Sequence, residues 1–173
     1  MERGRGALDG GLDRLVLREA GVDPRLLNLA AEFQERVVIH ARMPEAAEIA
    51  AITHSGVHLP GSAEVADWRG RVAGELSKSC HSVDEARAAI LAGCDWVFLS
   101  PIFAPISKPL DLRRPLGPEL LAGCVALGGI TLDRLGVCRA NGARGVATMS
   151  QVLNDVNPAS AAGAWRACWD ANG

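Results

Sequence analysis

The chain has 173 residues, a length that suits one domain of roughly 100–200 residues and can bury a core without a metal or disulfide staple. With 49% hydrophobic and 22% charged residues the composition is globular, which excludes a disordered chain, and a net charge of −2 supplies no field for nucleic acid or an anionic membrane surface. No apolar run reaches the roughly 20 residues that span a bilayer, and the start MERGRGALDGG has no apolar leader core. The five cysteines never fall as CxxC, so reduced thiols and a cytoplasmic location are expected.

In chain order the pattern alternates between short β-branched runs and amphipathic stretches. DRLVLRE (13–19) reads as a strand, followed by a helix over 23–36 with Asp23 as N-cap and Pro24 at the first helical position. RVVIHA (36–41) is too short and too β-branched for a helix, 43–54 is helical, GVHLPG (56–61) is a strand, and a short helix follows. ELSKSCHS (75–82) reads as a strand that runs into a capping box, Ser82 with Glu85, and a helix ending at Gly93. CDWVFLSPIF (94–103) and CVALGGI (124–130) are strands separated by at most two helical turns. TLDRLGVCRANGA is a helix capped by Gly142, GVATMSQVL (145–153) a strand, and the chain closes on a helix.

Alternation of this kind requires parallel strands with helices as crossovers. Seven βα units are one short of a barrel. The predicted fold is therefore α/β, a TIM-type (β/α)8 barrel lacking its first strand, over 13–173. The four glycines of 1–12 predict an unstructured or truncated start. An open doubly wound sheet is the alternative. An unclosed barrel exposes two strand edges, which a homodimer would cover.

Parallel α/β folds bind ligands at the carboxyl ends of their strands. Those ends present Arg18; His40; His58 and Gly61; Lys78, Ser79 and His81; Ser100 through Lys108; Gly128 and Gly129; and Thr148 through Ser150. Both lysines of the chain, Lys78 and Lys108, are placed there. The glycine-rich turn ALGGIT and the turn ATMS lie where barrels cradle a phosphate on backbone N–H groups, although two glycines equally permit a tight turn. His54 and His58 are four apart but in different elements, so no metal site is predicted. Cys80 and His81, as successive strand residues, point to opposite faces and do not form a nucleophile–base pair. Trp165 and Trp169 on the last helix read as core.

GVHLPGS, SKSCHSVDEA, GCDWVFLSPIFAPISKP, ALGGIT and GVATMS, in that order, resemble the thiamin phosphate synthase/TenI family over roughly 13–165. The resemblance implies a (β/α)8 barrel and a role in thiamin (vitamin B1) biosynthesis with a small phosphorylated thiazole as ligand. The synthase branch joins a hydroxymethylpyrimidine diphosphate to the thiazole phosphate and uses Mg²⁺. The TenI branch aromatises the thiazole by a proton shift, with no metal. Residue by residue, Arg18 matches the arginine of QLRxK, Ser79 the serine of GxSxH, and Ser107–Lys108 the (T/S)K loop, the diphosphate neighbours of the synthase. Gly128, Gly129, Met149 and Ser150 match the thiazole phosphate cup.

The departures are as informative. Val16 and Ala20 replace the Gln and Lys of QLRxK, His40-Ala41 stands for Asn-Asp, and Ala63 occupies the second acidic metal position. Pro101 replaces the histidine that the TenI branch carries before its (V/I)F. A TenI-like thiazole tautomerase is the expected reaction, with no cofactor, no membrane or nucleic-acid partner, and His81, His40 and Lys108 as acid/base candidates. A divergent, Mg²⁺-dependent thiamin phosphate synthase and a catalytically inactive phosphate-binding barrel are the alternatives.

Overall fold

The computed structural model describes residues 1–104 and 114–173, so Ser107 and Lys108 lie outside the described residues. Among those described, seven strands form one parallel sheet in sequential order: β1 (Leu15–Leu17), β2 (Val37–His40), β3 (Gly56–Leu59), β4 (Leu76–Cys80), β5 (Trp96–Leu99), β6 (Val125–Leu127) and β7 (Gly145–Ala147). β1 pairs only with β2 and β7 only with β6, so the curled sheet is a barrel left open between its ends. The helices are α1 (Glu2–Asp9), α2 (Pro24–Phe33), α3 (Ala46–Thr53), α4 (Ala66–Arg69), α5 (Val83–Leu91), α6 (Leu135–Ala140), α7 (Ser150–Leu153) and α8 (Pro158–Ala171). None of them is long and apolar enough to cross a membrane.

Strand alternation divides the sheet into two chemistries. Leu15, Leu17, Val37, Ile39, Val57, Leu59, Leu76, Cys80, Val97, Leu99 and Ala126 join the buried cluster under the helices. The other parity lies in register across the concave face, with His40 opposite His58, His58 opposite Ser77 and Ser77 opposite Trp96. One turn of pleat further, Ser79 pairs with Phe98 and Phe98 with Val125. Half the sheet is thus an apolar core and the other half a polar and aromatic hollow.

The expectation of an unstructured start is corrected: residues 2–9 are helix α1, with Ala7 and Leu8 buried. The glycines taken as helix breakers are contact points. A Cβ on Gly4 would meet Leu15 Cδ2 at 2.8 Å, and one on Gly10, just past the helix, would meet the Ala159 carbonyl oxygen at 2.1 Å. Arg36 donates to the carbonyls of Leu8 and Leu12, both at 2.6 Å. The roughly 1 kcal/mol that each glycine costs a helix is offset by this burial. α1 packs on α8, so the helix layer closes where the sheet does not. A second correction concerns β7, which stops at Ala147; Met149 caps a helical turn over Ser150–Leu153 where the β-branched run had suggested strand.

Below the hollow, Arg14 just before β1 makes a two-pronged bond with Glu75 just before β4, at 2.9 and 3.0 Å, and the Trp96 indole N–H adds a third at 3.3 Å. This pair joins residues 61 apart in sequence and holds the curl of the sheet. The bond to Arg14 holds the Glu75 carboxyl below its ordinary value of 4.5. A carboxylate whose folded pKa is depressed stabilises above its unfolded pKa, and that contribution is lost as pH falls through the folded one. Glu75→Gln is therefore expected to lower Tm by roughly 2–4 °C near neutral pH, about 1 kcal/mol for a half-exposed pair. The gap from the parent should close as pH falls below about 4. Melting curves over that range check this, and a pH-independent gap would assign the effect to packing.

Candidate functional site

The strand ends of β1 to β4 bring Arg18, His40, Ser79 and His81 to one mouth. His81 is built into place from two directions. Ser82 caps α5 by accepting from the Glu85 amide at 3.1 Å, and the Glu85 carboxylate in return accepts from the His81 amide at 2.7 Å. The imidazole Nδ1 lies 2.8 Å from the Ser100 carbonyl oxygen. A carbonyl only accepts, so Nδ1 carries a proton and Nε2 holds the lone pair of the neutral ring. The exposed ring lies beside Gly61, whose Cβ, if it had one, would stand 3.7 Å from Nε2.

His40 is set the opposite way. The Arg42 amide donates to His40 Nδ1 at 3.1 Å, so the proton of the neutral ring sits on Nε2. Burial, with the charges of Arg18 and Arg42 nearby, pulls its pKa down to about 4. At neutral pH His40 is an N–H donor without charge, and the Nδ1–H tautomer of His81 presents its Nε2 lone pair. One end of the hollow thus offers a donor and an acceptor of fixed polarity.

The turn after β6 is shaped by close approach. Gly128 and Gly129 have φ of +92° and +64°. A Cβ on Gly128 would lie 2.9 Å from Pro101 Cα, and one on Gly129 2.5 Å from the Ala104 carbonyl oxygen. The Phe103 amide donates to Gly128 O at 3.1 Å, and Arg134, stacked 4.7 Å over the Phe103 ring, donates to Gly129 O at 2.5 Å. The glycines are thus required by the loop after β5 lying against them. Met149 is 71% exposed, and Ser150 opens α7 after β7, the strand next to β6.

Lys78 is not at the mouth, contrary to its placement from the sequence. Its parity is that of Leu76 and Cys80, and its ammonium donates to the Ala63 carbonyl at 2.6 Å on the outer side. Cys80 is buried and its thiol pushed up to about 12, which leaves no thiolate at neutral pH. His54 is exposed at the end of α3, whereas His58 is buried within β3. Among the described residues no group of three or more His, Cys, Asp or Glu could hold a metal ion.

Three contributors were absent from the sequence-derived site: Arg42, through its backbone; Ser77; and His58 as a member of a network. Parity would have found two of them. Residues 56, 58, 77, 79, 81, 96, 98 and 100 share one face once the register is known.

The sequence profile of the thiamine monophosphate synthase family matches residues 2–152. The chain belongs to that family. It is 32% identical to the thiamine-phosphate synthase of Geobacillus thermodenitrificans over 91% of this chain and 80% of that one. It is also 32% identical to the putative thiamine-phosphate synthase 2 of Aquifex aeolicus, over 84% and 86%. The thiamine phosphate pyrophosphorylase of Pyrococcus furiosus superposes with a TM-score of 0.78 at 20% identity, covering 99% of this chain and 89% of that one, a likeness of fold.

Proposed function

We propose that this member of the thiamine monophosphate synthase family is a metal-independent thiazole phosphate tautomerase. The observation that carries the reading is the opposed polarity of His81 and His40, because a 1,3-proton shift needs a base to carry the proton and a hydrogen-bond donor to support the charge that develops meanwhile. His81 Nε2 takes the proton, and the Ser100 carbonyl stabilises the imidazolium that results. The same His81 returns it, while the His40 N–H supports the developing charge. Arg18, the Gly128–Gly129 turn, Met149–Ser150 and the Ser107–Lys108 loop would hold the phosphate.

Magnesium does not fit this chain. Ala41 and Ala63, at the positions of the synthase's acidic ligands, offer no side-chain carboxylate, and the neutral His40 is a poor substitute for one toward a hard cation. No step is routed through a metal. The second reading, a thiamine phosphate synthase, is favoured by the names of the relatives at 32% identity and by Arg18 and Ser79.

The deciding experiment supplies two substrate sets to the purified protein. The non-aromatic thiazole phosphate should be aromatised without added metal, read by ultraviolet absorbance. Pyrimidine diphosphate, thiazole phosphate and Mg²⁺ together should give no thiamine phosphate by thiochrome fluorescence. A thiochrome signal would establish the synthase instead, and inactivity in both arms would leave a binding barrel.

A further inference from the structure

The hollow contains one group that the proton shift does not use. His58 is 3% exposed and enclosed by rings: Phe98 at 4.8 Å, His40 edge-on at 5.5 Å and Trp96 stacked at 6.2 Å. No ligand in the mouth can reach it. Yet both of its nitrogens are engaged, Nδ1 with Ser77 Oγ at 2.9 Å and Nε2 with Ser79 Oγ at 2.8 Å. Ser77 is fully buried, whereas Ser79 is only partly so and stands at the strand end.

Proton positions follow from counting donors. Ser77 Oγ has two candidate acceptors, the Val57 carbonyl at 3.4 Å and His58 Nδ1 at 2.9 Å. The first distance is beyond the usual range for O–H···O and the second within it, so the Ser77 proton goes to Nδ1. The neutral ring then has its single N–H on Nε2 and donates it to Ser79 Oγ. Burial, followed by the nearby His40 and Arg18, pulls the His58 pKa down to about 3, which keeps the ring at one proton. With its oxygen already accepting from Nε2, the Ser79 hydroxyl has its own proton to give away.

We propose that Ser77 and His58 form a buried positioning relay that turns the Ser79 hydroxyl into a hydrogen-bond donor aimed at the mouth, selecting a phosphate-type oxyanion over a donor group at that point. The relay deepens the phosphate-binding function proposed above and rests on it. Ser77 and His58 do not touch the ligand; they fix which way Ser79 points its proton. An ionised oxyanion oxygen accepts only and so gains from the proton that Ser79 offers, whereas an ammonium group has no lone pair to receive it.

Two measurements on the full chain test this. Long-range proton–nitrogen NMR of ¹⁵N-histidine-labelled protein should show His58 as the Nε2–H tautomer, and Ser77→Ala should shift that population toward Nδ1–H. A wild-type Nδ1–H ring would overturn the relay without reference to any ligand. Calorimetric titration with inorganic phosphate should show Ser79→Ala weakened about tenfold, Ser77→Ala several-fold, and the double variant no weaker than Ser79→Ala. Additive losses would overturn the relay, since Ser77 would then act apart from Ser79. If wild-type protein binds no phosphate while His58 reads as Nε2–H, the phosphate reading of the mouth fails, the oxyanion selectivity of Ser79 fails with it, and only the Ser77–His58 proton arrangement survives.

Discussion

Replacing His81 by asparagine is expected to cut the isomerisation kcat by about 10²–10³-fold, the usual worth of a positioned general base, with little change in KM. Asparagine is the informative choice because its amide nitrogen stands close to where Nδ1 stood and can still donate to the Ser100 carbonyl. The variant keeps the structural bond at 2.8 Å and removes only the Nε2 lone pair. His81 is exposed and its backbone is held by Glu85, so Tm should move by no more than about 2 °C. His40→Asn should cost less, because a neutral N–H donor contributes charge stabilisation and not the transferred proton itself. If His81→Asn retains half the parent's kcat, His81 is not the base and the tautomerase reading loses the observation that carries it.

How legible these features were in the sequence depends on the range over which they are decided. The seven strands were readable because runs such as Val37–Ile39 and Trp96–Leu99 are β-branched or aromatic and bounded by turn residues. The Ser82–Glu85 cap was readable because its partners are three residues apart. Helix α1 was not. Its glycines oppose a helix locally, and the elements that approach there and at Gly10 just past it, β1 and α8, are fixed by the fold and not by nearby sequence. The same holds for Arg14 with Glu75.

For the candidate site, the sequence pointed to Arg18 and Ser79 through the motifs and to His81 through its place at a strand end. It could not find the proton positions, which depend on whether a backbone carbonyl or a backbone amide faces each ring. Ser100 O and the Arg42 amide make His81 and His40 opposites although nothing in the sequence tells the two histidines apart. Lys78 failed for the converse reason. Strand parity decided its direction, and a list of strand ends ignores parity.

Gly129→Ala is expected to be strongly destabilising. At φ +64° an alanine costs about 1–2 kcal/mol relative to glycine, and its Cβ would stand 2.5 Å from a backbone oxygen, which cannot swing aside as a side chain could. Displacing Ala104 and Phe103 adds about 1–3 kcal/mol of overpacking. Together these predict a fall in Tm of roughly 5–15 °C. Gly70→Ala, at φ −71° with open space around its Cβ, should change Tm by about 2 °C at most and serves as the control. An unchanged Tm in Gly129→Ala would mean that the loop after β5 does not pack as described. Phosphate titration of the folded fraction then separates two uses of the same glycine. Lost affinity would show that the turn cradles an anion through its backbone, whereas full affinity in a destabilised protein would show that Gly128 and Gly129 serve only to admit Pro101 and Ala104, with Arg18 and the Ser79 hydroxyl carrying the phosphate.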